Sequence, residues 1–269
     1  MPAGRTSSRR TLQRPSVHCG DVVVCDHVEG VVSTPAGPYY GPLAHGFACG
    51  AHIPVHVSGP WNALEDPVRD YQENRESLAD SWGVSTAEDW QRQVDYLLAG
   101  LNIGTEVDAA LNVRRQLVRQ HGGYDLAAWP AAVGAWARRH NGGDSEEMVA
   151  SVDVITRYEA RFRADGILAP NGIVNSVFGY DFGRAVNMAR WGYGGRFCDY
   201  RAAEAIVLRA GELCRQHYTS WADFSAGYAL GRVIRFDNEE YGHMYVSVRG
   251  PHHLLMTDRT SPWWHIPFS

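Results

Sequence analysis

The stretch HGFACGAHIPVH, residues 45 to 56, sets three histidines and a cysteine within twelve positions. Imidazole and thiolate are zinc donors, so the first question is whether they could share one ion. At 100° per residue, His45, Cys49, His52 and His56 fall within about 60° of one another on a helix. A helix rises about 1.5 Å per residue, so His45 and His56 would stand roughly 16 Å apart. One ion could take only a neighbouring pair such as His52 and His56. Pro54 lacks the N–H of a helix interior and is expected to push His56 off the helix. Leu43, Ala44, Phe47, Ala48, Ala51 and Val55 gather on the opposite arc, which the core should claim. The histidines therefore read as a face turned to water, with no metal. His243, His252, His253 and His265 form a second histidine-rich place, the first three within an expected hairpin across which His243 could face one of the pair. There the adjacent His252 and His253 point to opposite faces and cannot serve one ion.

The segment DFGRAVNMARW, residues 181 to 191, offers a different chemistry. Phe182, Ala185, Val186 and Ala189 form one apolar arc, and Asp181, Arg184, Met188 and Trp191 a neighbouring one. Such a helix is expected to lie between others. Asp181 and Arg184 are three apart and can pair. Asn187 and Arg190 occupy the remaining side, and Tyr228 and Arg232 stack four apart on the last helix. The structural reading is a buried polar network that fixes helix register, with Asp181 doubling as an N-cap. The functional reading is a pocket where Arg184, Arg190 or Arg232 binds an anion and Asp181 acts as acid or base. The candidate ligand-binding residues are thus Asp181, Arg184, Asn187, Arg190, Trp191, Tyr228 and Arg232. No catalytic residue is assigned.

Other chemistries are excluded or unsupported. All 25 Lys+Arg positions are arginine, which rules out a lysine Schiff base, a pyridoxal-phosphate lysine and a lysine-dependent phosphate loop. No GxSxG, GxGxxG or HExxH occurs, and no cofactor is expected. The five cysteines (Cys19, Cys25, Cys49, Cys198, Cys214) contain no CxxC, and a reducing cytoplasm is the expected setting. Cys198 reads as a small packing residue. The net charge of −5 gives no global attraction to nucleic acid or anionic membrane. Arg138, Arg139, Arg157, Arg161 and Arg163 are interleaved with Glu146, Glu147, Asp153 and Glu159. No run of eighteen apolar residues exists, so neither membrane nor nucleic acid is an expected partner.

These side chains must be positioned by mostly helical elements. "SRRTLQR" near the start lacks the apolar stretch of an export signal, and residues 1–16 read as a disordered basic tail. Residues 22–25 and 28–32 suggest a hairpin, and STPAGPYYGP completes an N-terminal hairpin and linker over residues 17–40. Helices are expected over 68–81 and 106–120, over 125–140 with Pro130 in its first turn, and over 145–164. Ser85 and Glu88 suggest a capping box before a helix whose apolar stripe is Trp90, Val94, Leu97 and Leu98, ended by Gly100. Three further helices fit 181–191, 200–217 and 221–235, the last capped by Ser220 with Asp223. HMYVSV and HHLLMT, around a turn at Arg249 to Pro251, read as a second hairpin within a C-terminal extension, residues 237–269. The expected class is mainly α, with seven to eight helices and short β-hairpins near both ends.

The order and spacing of several short motifs carry a resemblance. They are Asp181, Gly183, Arg184, Asn187, Arg190 and Gly192, then Glu204 and Ala205, then Ser220, Trp221, Phe224, Tyr228, Gly231 and Arg232. PWNAL at 60–64 and SWGVSTAEDW at 81–90 precede them. Together these resemble a bacterial family of unknown function typified by YbeU and YbeR, the domain of unknown function 1266. The resemblance runs from about Gly41 to Phe236, with both hairpins and SPWWHIPFS outside it. It implies a mostly helical domain over 41–236 and no reaction.

The leading expectation is a soluble cytoplasmic helical protein that binds a protein or small ligand. It rests on the missing catalytic signatures and on the many Trp and Tyr residues available for contact surfaces. The alternative is an enzyme using Asp181, Arg184, Arg190 and Arg232 on a small anionic substrate. Convergence of these groups on an open cavity would favour the enzyme; full internal pairing would favour the binding module.

Overall fold

The computed structural model describes residues 30–65, 69–103, 105–140 and 145–269. Among them twelve helical segments follow in order: α1 Gly41–Cys49, α2 His52–His56, α3 Tyr71–Trp82, α4 Ala87–Leu98, α5 Thr105–His121 and α6 Trp129–His140, then α7 Ser145–Ala164, α8 Phe178–Gly194, α9 Tyr200–His217, α10 Trp221–Phe236, α11 His243–Thr257 and α12 Pro262–His265. The mainly helical class holds, with more helices than the seven or eight expected. Among the described residues no sheet forms, and Val32 makes one isolated bridge to Pro60. The expected tail over 1–16, and the first hairpin up to residue 29, lie outside the described residues.

Local chemistry sets several helix ends. Asp70 and Glu73 form a reciprocal capping box on α3, and Gly83 closes it in the left-handed region at φ 64°. On α4 the box is Thr86 with Asp89, one residue later than Ser85 and Glu88. The two overlapping pairs compete for the same orphan N–H groups. Asp89 settles the contest by accepting from both Ser85 N and Thr86 N. Ser220 caps α10 as expected, accepting from Asp223 N. Pro130 is the second residue of α6, where its missing N–H costs nothing.

Helix α8 is the centre of the molecule and packs against α9, α10, α4, α3 and α1. Both of its expected arcs are occupied: Phe182, Ala185, Val186 and Ala189 are buried, and so are Asp181 and Met188. Two of its glycines permit close approaches. A Cβ on Gly192 would lie 2.0 Å from Trp90 Nε1, and one on Gly183 would lie 2.9 Å from the Cys49 carbonyl oxygen. Trp90 uses that proximity to donate to the Met188 carbonyl at 2.9 Å.

The HGFACGAHIPVH segment departs from its expected surface position. It forms two helices, not one, broken at Gly50, whose Cβ would lie 2.5 Å from a Val186 methyl. Pro54 stands in the first turn of α2, so it begins a helix and His56 stays on it. His45 and His52 are 3% and 1% exposed, and Cys49 is fully buried. The segment is enclosed on both arcs because α9 and α12 cover α1 while α11 covers α2.

The expected C-terminal hairpin is also corrected. Residues 243–257 form the continuous helix α11, with Pro251 inside it. An internal proline costs about 3 kcal/mol or more in a helix. Here Tyr245, Val248, His252 and Leu255 are buried at intervals of three and four residues, against α10 and α2. At about 1.5–3 kcal/mol for each large side chain, that burial exceeds the proline penalty.

Candidate functional site

The α8 residues divide into those that hold the fold and those that face outward. Asp181 is fully buried in the first turn of α8. It makes no ion pair with Arg184, contrary to the three-residue spacing. Its carboxylate accepts instead from Asn102 N at 3.0 Å and from Asn102 Nδ2 at 3.2 Å, tying down the α4–α5 loop. Burial raises its pKa to about 6, against the opposing hydrogen bonds from Asn102. It is no N-cap either, since α8 begins three residues earlier. Asn187 donates to the Gly50 and Gly183 carbonyls, both at 2.9 Å, fixing the α1–α2 break against α8. Arg190 donates to the Trp61 carbonyl at 3.1 Å and the Pro60 carbonyl at 2.6 Å. That contact joins the PWNAL stretch to the centre of the fold. Trp191 is partly buried beside Trp82, their rings 6.2 Å apart.

Arg184 and Arg232 are arranged differently. Both donate from Nη1 to the Tyr180 hydroxyl, Arg232 at 3.3 Å and Arg184 more closely. The Arg184 guanidinium carbon sits 4.0 Å over the Trp82 ring, which fixes its plane. Arg184 Nε is buried without a hydrogen-bond partner, and among the described residues no carboxylate lies within ion-pair distance of Arg184. Arg232 also reaches Met244 Sδ at 3.1 Å and lies 4.9 Å over the Phe236 ring. His56 adjoins this group: burial lowers its pKa, and the Arg232 charge lowers it further. Tyr228 is buried below, stacked on His52 at 3.9 Å and set edge-on to Tyr180 at 5.3 Å. Trp82 also lines a shallow cleft of about 330 Å³ with Val84, Arg92 and Tyr96.

Sequence reasoning overlooked two buried polar clusters. In the first, Ser225 Oγ lies 3.0 Å from His52 Nε2 and 2.7 Å from His252 Nδ1. One hydroxyl can donate to one imidazole and accept from the other, so Ser225 links the two rings. Burial drives the pKa of His252 down to about 4 and that of His52 well below its ordinary value, so both rings are neutral. Ser225 is fully buried, and the chain joins α2, α10 and α11. The second cluster is the Arg114–Glu159 pair, whose side chains are 1% and 2% exposed. It is bidentate at 2.7 and 3.0 Å, and each partner also binds the backbone of Val174. Tyr245, Val248, His252 and Leu255 could have revealed α11, and with it the first cluster, by their helical spacing. No local signal relates Arg114 to Glu159.

The histidines lie in different environments. His45 Nε2 pairs with the Phe268 carbonyl at 2.9 Å, and His45 Nδ1 lies 3.8 Å from Cys49 Sγ. Burial pushes the Cys49 thiol up, and hydrogen bonds with Cys214 and His45 more than reverse this, to about 6. Among the described residues no three His, Cys, Asp or Glu side chains gather as a metal site would need.

Residues 77–268 match the family described as "Protein of unknown function (DUF1266)". The chain belongs to the DUF1266 family. No curated protein and no solved structure matches it. The DUF1266 match extends beyond the expected end at Phe236, taking in α11, α12 and the SPWWHIPFS ending. It begins after PWNAL, which therefore lies outside the matched span. The extension has a physical basis in this DUF1266 chain. Trp263 donates to the Ala48 carbonyl at 3.1 Å, and Trp221 donates to the Ile266 carbonyl at 2.8 Å. No helix among the described residues is long and apolar enough to cross a membrane.

Proposed function

We propose that this DUF1266 protein is a binding module for an anionic ligand, held by Arg184 and Arg232 over the Tyr180 hydroxyl. One observation carries the reading: two guanidinium groups from different helices converge on one phenolic oxygen. A phosphate or carboxylate seated beside them would accept from both donor forks, the planar geometry that guanidinium groups match best. Trp82 and Tyr180 hold the Arg184 plane before any ligand arrives, which lowers the ordering cost of binding. Asp181 favours binding over catalysis, because its carboxylate is enclosed and engaged by Asn102.

The test is thermal unfolding and calorimetric titration with inorganic phosphate and with acetate, against chloride at matched ionic strength. Mass action predicts a melting temperature that rises with the logarithm of the bound anion's concentration. Arg184→Gln and Arg232→Gln should each abolish the rise. Phosphate and acetate that act no differently from chloride would overturn the proposal, as would two variants that respond like the parent.

A further inference from the structure

A second cleft, away from the arginine pair, carries an independent inference. It has a volume of about 280 Å³ and lies where the α4–α5 loop, α5, α6 and the start of α8 meet. Its lining includes Leu101, Asp108, Asn112, Trp136 and Phe178. Asp108 and Asn112 stand four apart on α5, so their side chains emerge one above the other on one face. Phe178 is held firmly. Gly100 takes the left-handed region at φ 70°, and a Cβ there would lie 2.7 Å from the Phe178 ring, so ring and backbone close against each other. The His217 ring packs edge-on against Phe178 at 5.0 Å.

The charges in this region cancel. Arg115 Nη1 lies 3.5 Å from Asp108 Oδ1, and Arg115 also donates to the Asn175 carbonyl. Its Nη2 reaches Asn112 Oδ1 at 3.5 Å. His217 feels both charges in opposite senses, and burial lowers its pKa. A charged ligand would therefore find no uncompensated partner here. Aromatic surface lines the cleft at Phe178 and at Trp136, which is itself stacked on the His140 ring at 4.4 Å, and a polar edge comes from an amide that both donates and accepts and a carboxylate that accepts. The volume sits at the lower edge of the roughly 300–1,000 Å³ of ligand clefts, enough for one ring system and not for a nucleotide with its phosphates.

We infer that this cleft binds a neutral, planar nitrogen heterocycle of the nucleobase type, read at its hydrogen-bonding edge by Asn112 and Asp108 and packed on Phe178 and Trp136. The ligand's amide- or amidine-like edge faces Asn112, and its ring faces the aromatic side chains. The site is distinct from the arginine pair and does not depend on it.

The experiment is ligand-observed NMR titration of the whole protein with adenosine, guanosine, cytidine and uridine, each uncharged and used singly. At least one should bind saturably. Asn112→Ala should weaken it about tenfold, the effect of one well-made hydrogen bond. Trp136→Leu should weaken it too, while Arg184→Gln leaves it unchanged. The Trp136 indole resonance of the parent, assigned by its loss in Trp136→Phe, should shift with the same saturation curve, so the result does not depend on how any variant folds. Absence of saturable binding by all four nucleosides overturns the inference. So does binding that leaves the Trp136 resonance in place.

Discussion

Replacing Asp181 with asparagine removes a buried charge and keeps the shape of the side chain. The folded carboxyl titrates at about 6 because burial outweighs its hydrogen bonds to Asn102, whereas an exposed aspartate titrates near 3.8. At about 1.36 kcal/mol per pH unit of displacement, ionisation of Asp181 in the folded protein costs roughly 3 kcal/mol at neutral pH. The sign follows from proton linkage. The folded state holds the proton more tightly, so this group's stabilising contribution is complete below about pH 4 and is lost as pH rises through about 6. The neutral amide of the Asp181→Asn variant carries no such loss. Its carbonyl can accept from Asn102 N, and its NH₂ group can donate once the Asn102 amide turns over. Allowing about 1 kcal/mol for the weaker hydrogen bonds of a neutral group, Asp181→Asn should stabilise the protein by about 1–2 kcal/mol near pH 7.5. That corresponds to a rise of roughly 2–8 °C in melting temperature for a chain of this size. The gain should vanish near pH 4. Burial lowers the pKa of His52 and His252, so their contribution is present above about 6.5 and lost on acidification, the opposite slope over the same window. The parent's own pH profile is therefore a sum of opposing effects, and the difference between parent and variant is the quantity to measure, by urea unfolding at both pH values. A variant less stable than the parent at neutral pH refutes the reasoning. So does a difference that is the same at both.

Two further outcomes follow from packing and pairing. Glu159→Ala strands the Arg114 guanidinium at a site 1% exposed and should cost about 3–5 kcal/mol in urea unfolding. Replacing both partners with apolar residues of similar volume should recover most of that loss; a double variant as unstable as the single one would show that the Val174 contacts, not the charge, dominate. Gly192→Ala drives a methyl into Trp90 Nε1 and should destabilise the protein in urea unfolding by about 1–3 kcal/mol, the cost of core overpacking. Trp90→Phe, which clears the nearest atoms, should partly rescue it, and no rescue would place the clash elsewhere.

The helical class, most helix spans and the cap at Ser220 were legible in the sequence because they are local. Apolar residues recur at helical spacing, and a capping side chain reaches only two or three positions along its own chain. The two arcs of α8 announced a sandwiched helix for the same reason. Distant partners left no such trace. Asp181 and Arg184 are three apart and of opposite charge, yet Asn102 captures the carboxylate because α4 and α8 pack together and leave backbone N–H groups that must be satisfied. His45 and His52 looked solvent-facing because one arc already satisfied the core. Only the arrival of α9, α11 and α12 from more than a hundred residues away enclosed the other arc, with Ser225 and the Phe268 carbonyl meeting the imidazoles. A Gly-Pro pair inside α11 suggested a turn, since backbone cost is local and burial is not. The sequence therefore determined which segments become helices and which residues want a core. The packing decided which charges meet, because ion pairs and polar contacts depend on distance in space, and the chain's own spacing does not encode it.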